Sequence, residues 1–122
     1  MRLGGWGRKI IITFTFQLGL IVRGVVTSPN HPSKYPDNLR KTDTIKVEEG
    51  LVLALQFTAF NVEEGYTQYT CEYDHLTIQD GDGTTLMEKR CGSSLPANTI
   101  VSTSNIVELY FKTDHSLSLI HI

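Results

Sequence analysis

The chain is poor in cysteine, with two in 122 residues, and its formal net charge is only −2. So few cysteines exclude a disulfide-dense scaffold, and stability must come from a hydrophobic core. The lack of a basic excess excludes a broad electrostatic footprint for nucleic acid. The Lys and Arg residues are spread along the chain, with neighbours at Arg8-Lys9, Arg40-Lys41 and Lys89-Arg90. No apolar run approaches the ~20 residues that a membrane-spanning helix needs. No segment sustains a 3.6-residue apolar period, and there is no repeat and no low-complexity tract.

Motifs of chemistry are missing too. There is no Gly-x-Ser-x-Gly elbow and no phosphate-cradling glycine loop. Asp80-Gly81-Asp82-Gly83 lacks the glycine and ligand spacing of an EF-hand and reads as a turn. Cys71 and His75 find no second ligand pattern near Cys91, which argues against zinc. No nucleophile pairs with a base, so the chain does not read as an enzyme. No Asn-x-Ser/Thr acceptor is present to speak for a compartment.

What is present is ordinary globular material, 40% hydrophobic and 20% charged, enough for one domain with one core. Residues 1–23 admit two readings. Arg2, Arg8 and Lys9 precede an apolar run from Ile10 to Val22, as in a secretory signal peptide or another segment outside the domain, with Val22 and Gly24 small enough to sit just before a cleavage point. Yet Ile12, Phe14, Phe16, Leu18 and Leu20 alternate with Thr13, Thr15, Gln17 and Gly19, the period of a half-buried strand.

Beyond Gly24 the pattern is all-β. Pro29, Pro32 and Pro36 break the stretch after Thr27 into a surface loop. Thr42–Val47 alternates. Leu51–Phe60 places Leu51, Leu53, Leu55 and Phe57 on one face and Val52, Ala54 and Phe60 on the other, which predicts a central strand partly covered on both sides. Leu76 and Ile78 point inward, the Asp80–Gly83 turn leads into a returning strand at Leu86-Met87, and Val107, Leu109 and Phe111 share a face. Leu53, Leu55, Phe57, Leu76, Ile78, Leu109 and Phe111 are the expected core. Short strands between closely spaced turns predict a sandwich or barrel.

Several pieces, in this order, resemble the CUB domain family: Gly24-Val25-Val26-Thr27-Ser28-Pro29-Asn30-His31-Pro32, Tyr35-Pro36-Asp37-Asn38-Leu39, Leu55-Gln56-Phe57-Thr58-Ala59-Phe60, Cys71-Glu72-Tyr73-Asp74-His75-Leu76, Asp82-Gly83 and Cys91-Gly92. The resemblance implies an antiparallel, jelly-roll-like β-sandwich over residues 24–116, with 117–122 an atypical truncated tail and the last strand missing. It departs from many members in having no cysteine near Arg40-Lys41-Thr42.

The two cysteines are either one disulfide of a secreted domain or two free thiols, and the flanking pattern favours a Cys71–Cys91 bridge. By resemblance to calcium-binding members, Glu63, Asp74 and Asp114 are the expected calcium ligands, with Ser116 completing the shell, Tyr35 bracing it, and Glu64 an alternative to Glu63. Calcium takes six to eight oxygens or so, which is why acids from separate loops must converge. The implied function is an extracellular, secreted module that binds a protein or glycan, without nucleic acid or a membrane span, beside neighbouring domains of a larger parent such as an astacin- or tolloid-like or complement-type protease. The competing expectation is a stand-alone, calcium-independent binder resembling the spermadhesins.

Overall fold

The computed structural model describes residues 9–18, 20–63, 70–96 and 98–114, and at 16–18 and 20–22 the backbone alone. Every regular element among them is a strand: β1 Lys9–Leu18, β2 Leu20–Thr27, β3 Arg40–Lys46, β4 Ala54–Asn61, β5 His75–Asp80, β6 Thr85–Arg90, β7 Ile100–Val101 and β8 Ile106–Lys112. They form two four-stranded antiparallel sheets, in the orders β2-β1-β4-β7 and β3-β8-β5-β6. The core lies between the sheets. Ile10, Ile12, Leu53, Leu55, Phe57 and Phe60 meet Ile45, Leu76, Ile78, Met87, Val107, Leu109 and Phe111. All seven residues expected in the core are buried.

The period-two run near the N-terminus forms strand β1, which lies between β2 and β4. Ile10 and Ile12 face the core, and Phe14 packs against it. Phe14 stands directly opposite Gly24 of β2, where an added Cβ would overlap its ring. Glycine therefore leaves room for an aromatic on the neighbouring strand.

Strand β4 differs from the expected two-sided burial. Gln56 and Thr58 are exposed, and so is Val52 just before the strand. The register against β1 slips between Ile11↔Ala59 and Ile12↔Phe57, which leaves Thr58 as an extra residue. This β-bulge inverts the alternation. It turns Phe60 and Val62 to the same core as Leu55 and Phe57, and the rings of Phe57 and Phe60 meet edge-on at 5.4 Å. The apolar residues at odd and even positions thus serve one face in succession. The bulge also decides which way the chain leaves β4 toward Glu63.

Candidate metal centre

Three loops converge at one end of the sandwich. The first is the proline loop. Its Tyr35 is buried, with its ring edge-on to Phe111 at 4.9 Å. Buried Thr113 fastens the end of this loop: its hydroxyl donates to the Pro36 carbonyl (2.8 Å) and accepts from the Leu39 amide (2.8 Å). The Asn38 amide donates to the carbonyl of Asp114 at 2.9 Å, and Asn38 has φ of 55°, a left-handed conformation that Asn tolerates.

The second loop follows β4. Val62 forms an isolated bridge with Gly92, through amide–carbonyl bonds of 3.0 and 2.8 Å, and Glu63 comes next. Gly92 adjoins Cys91, which is bonded to Cys71 with Cα atoms 5.5 Å apart. The expected disulfide is present, and no described cysteine is free. The bridge joins the segment that carries Asp74 to the one that pairs beside Glu63. The third loop, after β8, brings Asp114.

One carboxylate oxygen from each of Glu63, Asp74 and Asp114 lies within 4.8 Å of the others. Glu63 and Asp74 are buried, and Asp114 is partly so. The Tyr35 hydroxyl donates to Asp74 Oδ2 at 2.6 Å and accepts from the Glu63 amide at 3.0 Å. Asp74 Oδ1 accepts from the Asp114 amide at 3.0 Å. Asp74 is the hub, since it is bonded to the tyrosine of one loop and the backbone of another. The expected brace by Tyr35 takes the form of a bond to the main chain of Glu63 and to the side chain of Asp74. Ser116 and Glu64 lie outside the described residues.

Three hard carboxylates so close repel one another unless a cation lies among them or a proton is shared. The donor set is all oxygen and fits calcium better than the softer metals.

Sequence reasoning missed a third buried acid. Asp80, the last residue of β5, is almost fully enclosed. Its carboxylate accepts from the Gly81 amide (2.8 Å), the Thr103 amide (2.6 Å), the Thr103 hydroxyl (2.8 Å) and the Ser104 hydroxyl (2.5 Å). Burial works to raise its pKa. The bonds from Ser104, Thr103 and Gly81 outweigh burial and hold the carboxyl well below the usual range. The turn signature was legible. The partners, some 23 positions away, were not.

An all-β sandwich with a bridged pair of cysteines and an acid cluster at one end is the class that these features define. The chain belongs to the CUB domain family, whose pattern matches residues 21–119. It is 38% identical over 97 residues to protein SpAN of Strongylocentrotus purpuratus, covering 80% of this chain and 15% of that protein. It is 34% identical over 95 residues to cubilin of Rattus norvegicus (78% of this chain, 2% of that one) and 35% identical over 96 residues to tolloid-like protein 1 of Mus musculus (77% and 9%). The chain thus spans a small part of the curated relatives it matches. Among solved structures it is similar to the MASP-1 CUB2 domain bound to Ca2+, with TM-score 0.65, 28% identity and coverage of 89% of this chain and 82% of that one.

Proposed function

We propose that this CUB domain is a calcium-stabilised extracellular binding module. The convergence of Glu63, Asp74 and Asp114 carries the reading. Likeness to a CUB domain solved with Ca2+ supports it. Glu63, Asp74 and Asp114 would hold the ion, with Ser116 as a further oxygen and Tyr35 positioning Glu63 and Asp74. The ion supplies two positive charges to three carboxylates, which leaves the site net acidic. Carboxylate oxygens turned outward would then accept hydrogen bonds from a lysine ammonium of a protein or glycan-bearing partner. The disulfide supports an extracellular, secreted setting, where such bonds persist. The protease activity in the name of a relative such as blastula protease 10, of which the chain spans 16%, is not carried over to it.

Calorimetric titration of calcium into the chain, paired with thermal unfolding, tests this. The expected result is measurable heat and a higher Tm at millimolar calcium, both lost in Asp74→Ala. No heat and no shift would favour the calcium-independent, stand-alone binder.

A further inference from the structure

The strand edges of the sandwich are unequally guarded. The β3-β8-β5-β6 sheet ends in β3, which carries Arg40, Lys41, Asp43 and Lys46, and in β6, which carries Glu88, Lys89 and Arg90. Lys41 and Asp43 alternate onto the side of buried Ile45 and form an ion pair at 3.6 Å. Charged side chains on an edge strand deter pairing with another chain. In the other sheet, edge strand β7 is two residues long, too short to template a partner. β2 has no such guard. It runs eight residues with Arg23 as its lone charge, and none of the strands in its sheet holds an acid. Val25 on its outer face is 59% exposed.

The register shows which backbone groups of β2 point to the open edge. The Ser28 amide donates to the Ile10 carbonyl at 2.9 Å, and Ile10 opposite Ser28 continues the β1–β2 register. In an antiparallel pair, backbone groups turn to alternate sides along the strand. Even-numbered residues of β2 therefore turn theirs to β1, and Ile21, Arg23, Val25 and Thr27 turn theirs to the edge. A largely apolar groove opens between this edge and β3. Val26 of β2 and Asp43 of β3 border it, with Ile10, Ile12, Leu76 and Phe111. A strand added to β2 would cover this groove as well as complete the backbone pairing.

We propose that this edge is a self-association surface, where β2 of a second copy adds antiparallel about a two-fold axis at Gly24. The choice of occupant follows from the strand itself. Pairing centred on Gly24 sets Ile21 opposite the second copy's Thr27 and Arg23 opposite its Val25. The outward backbone groups of residues 21, 23, 25 and 27 then all find partners, and the lone cation of the strand never meets itself. Paired residues fall on the same face, so the two sheets become one. The same strand serves both copies, so the contact closes as a dimer. Among the described edges, no other is both long and nearly uncharged. A single strand pair buries less than the roughly 1,600 Å² of a standard interface, so the dimer is weak.

Sedimentation equilibrium of the full chain over a concentration series tests the proposal. A monomer–dimer equilibrium is expected. Relative to the neutral Val25→Gln, Val25→Lys places a cation opposite Arg23 at both ends of the contact and should raise the dimer Kd roughly fivefold. Val25→Glu places an anion there and should lower it by a similar factor. Because the Val25 side chain is exposed, these variants should keep the monomer's Tm. Amide hydrogen exchange supplies a second readout. The Arg23, Val25 and Thr27 amides should gain protection as concentration rises, while those of Gly24 and Val26, already turned to β1, are protected throughout. A chain that stays monomeric up to about 1 mM would overturn the proposal. So would open-ended assembly, equal Kd values for Val25→Lys and Val25→Glu, or concentration-dependent protection that spares Arg23, Val25 and Thr27.

Discussion

Strand β5 has a buried aspartate at each end, and the two are held in opposite ways. Asp80, its last residue, receives four hydrogen bonds from the protein itself. Asp74, the residue before its first, receives a tyrosine hydroxyl and one amide, and two further carboxylates crowd against it. One end is complete within the fold. The other brings three carboxylates within 4.8 Å of one another. A buried acid is thus a staple or a site according to what surrounds it, not according to its burial. The comparison also separates order from charge: both carboxylates are fixed in place, but Asp74 has two further carboxylates beside it.

The most severe perturbation removes what both ends share. Phe57→Ala should cost ~3–5 kcal/mol in denaturant unfolding, because a fully packed aromatic leaves a cavity between the sheets. Loss below about 1 kcal/mol would mean that Phe57 is not in the core. The second acts at one end only. Calcium at a hundred times its Kd should stabilise the wild type by about 2.7 kcal/mol and Asp74→Ala by nothing, read as the calcium-dependent Tm shift. A shift that survives Asp74→Ala would break the contrast.

The third acts at the other end. Asp80→Asn should cost roughly 1–3 kcal/mol with or without calcium, because its amide cannot accept from every donor that surrounds it. Its pH signature follows from the depressed folded pKa. Asp80 contributes fully above the unfolded carboxylate value near ~4, and the contribution is lost as pH falls through the lower folded value. Acid unfolding of Asp80→Asn should therefore flatten below about pH 4 relative to wild type. The mildest is Tyr35→Phe, which removes one donor from Asp74 and the acceptor of the Glu63 amide. About 1–2 kcal/mol of stability and a weaker calcium response are expected, measured by unfolding and titration.

Most strands were readable from alternation. Val107, Leu109 and Phe111 share the buried face of β8, and the turn from Asp80 to Gly83 sits where its residues demand, with Gly83 at φ of 91°. β7 was not readable, because two residues have no period. The two apolar faces of β4 were real in the sequence, but they became one face by way of the bulge at Thr58. The acids Glu63, Asp74 and Asp114 carry no local signal. They stood out through resemblance to a family, since nothing in a run of residues says which loops will meet.

By itself the sequence determined the all-β class, the inward residues and the turns, because alternation, proline and glycine act over a few neighbouring positions. Only the tertiary structure decided that β1 lies between β2 and β4, that Asp80 finds Thr103 and Ser104, and that Glu63, Asp74 and Asp114 converge at one end of the sandwich. Each of these depends on strand register and loop closure across tens of residues, where many chain arrangements satisfy the same local pattern and packing of the whole selects one.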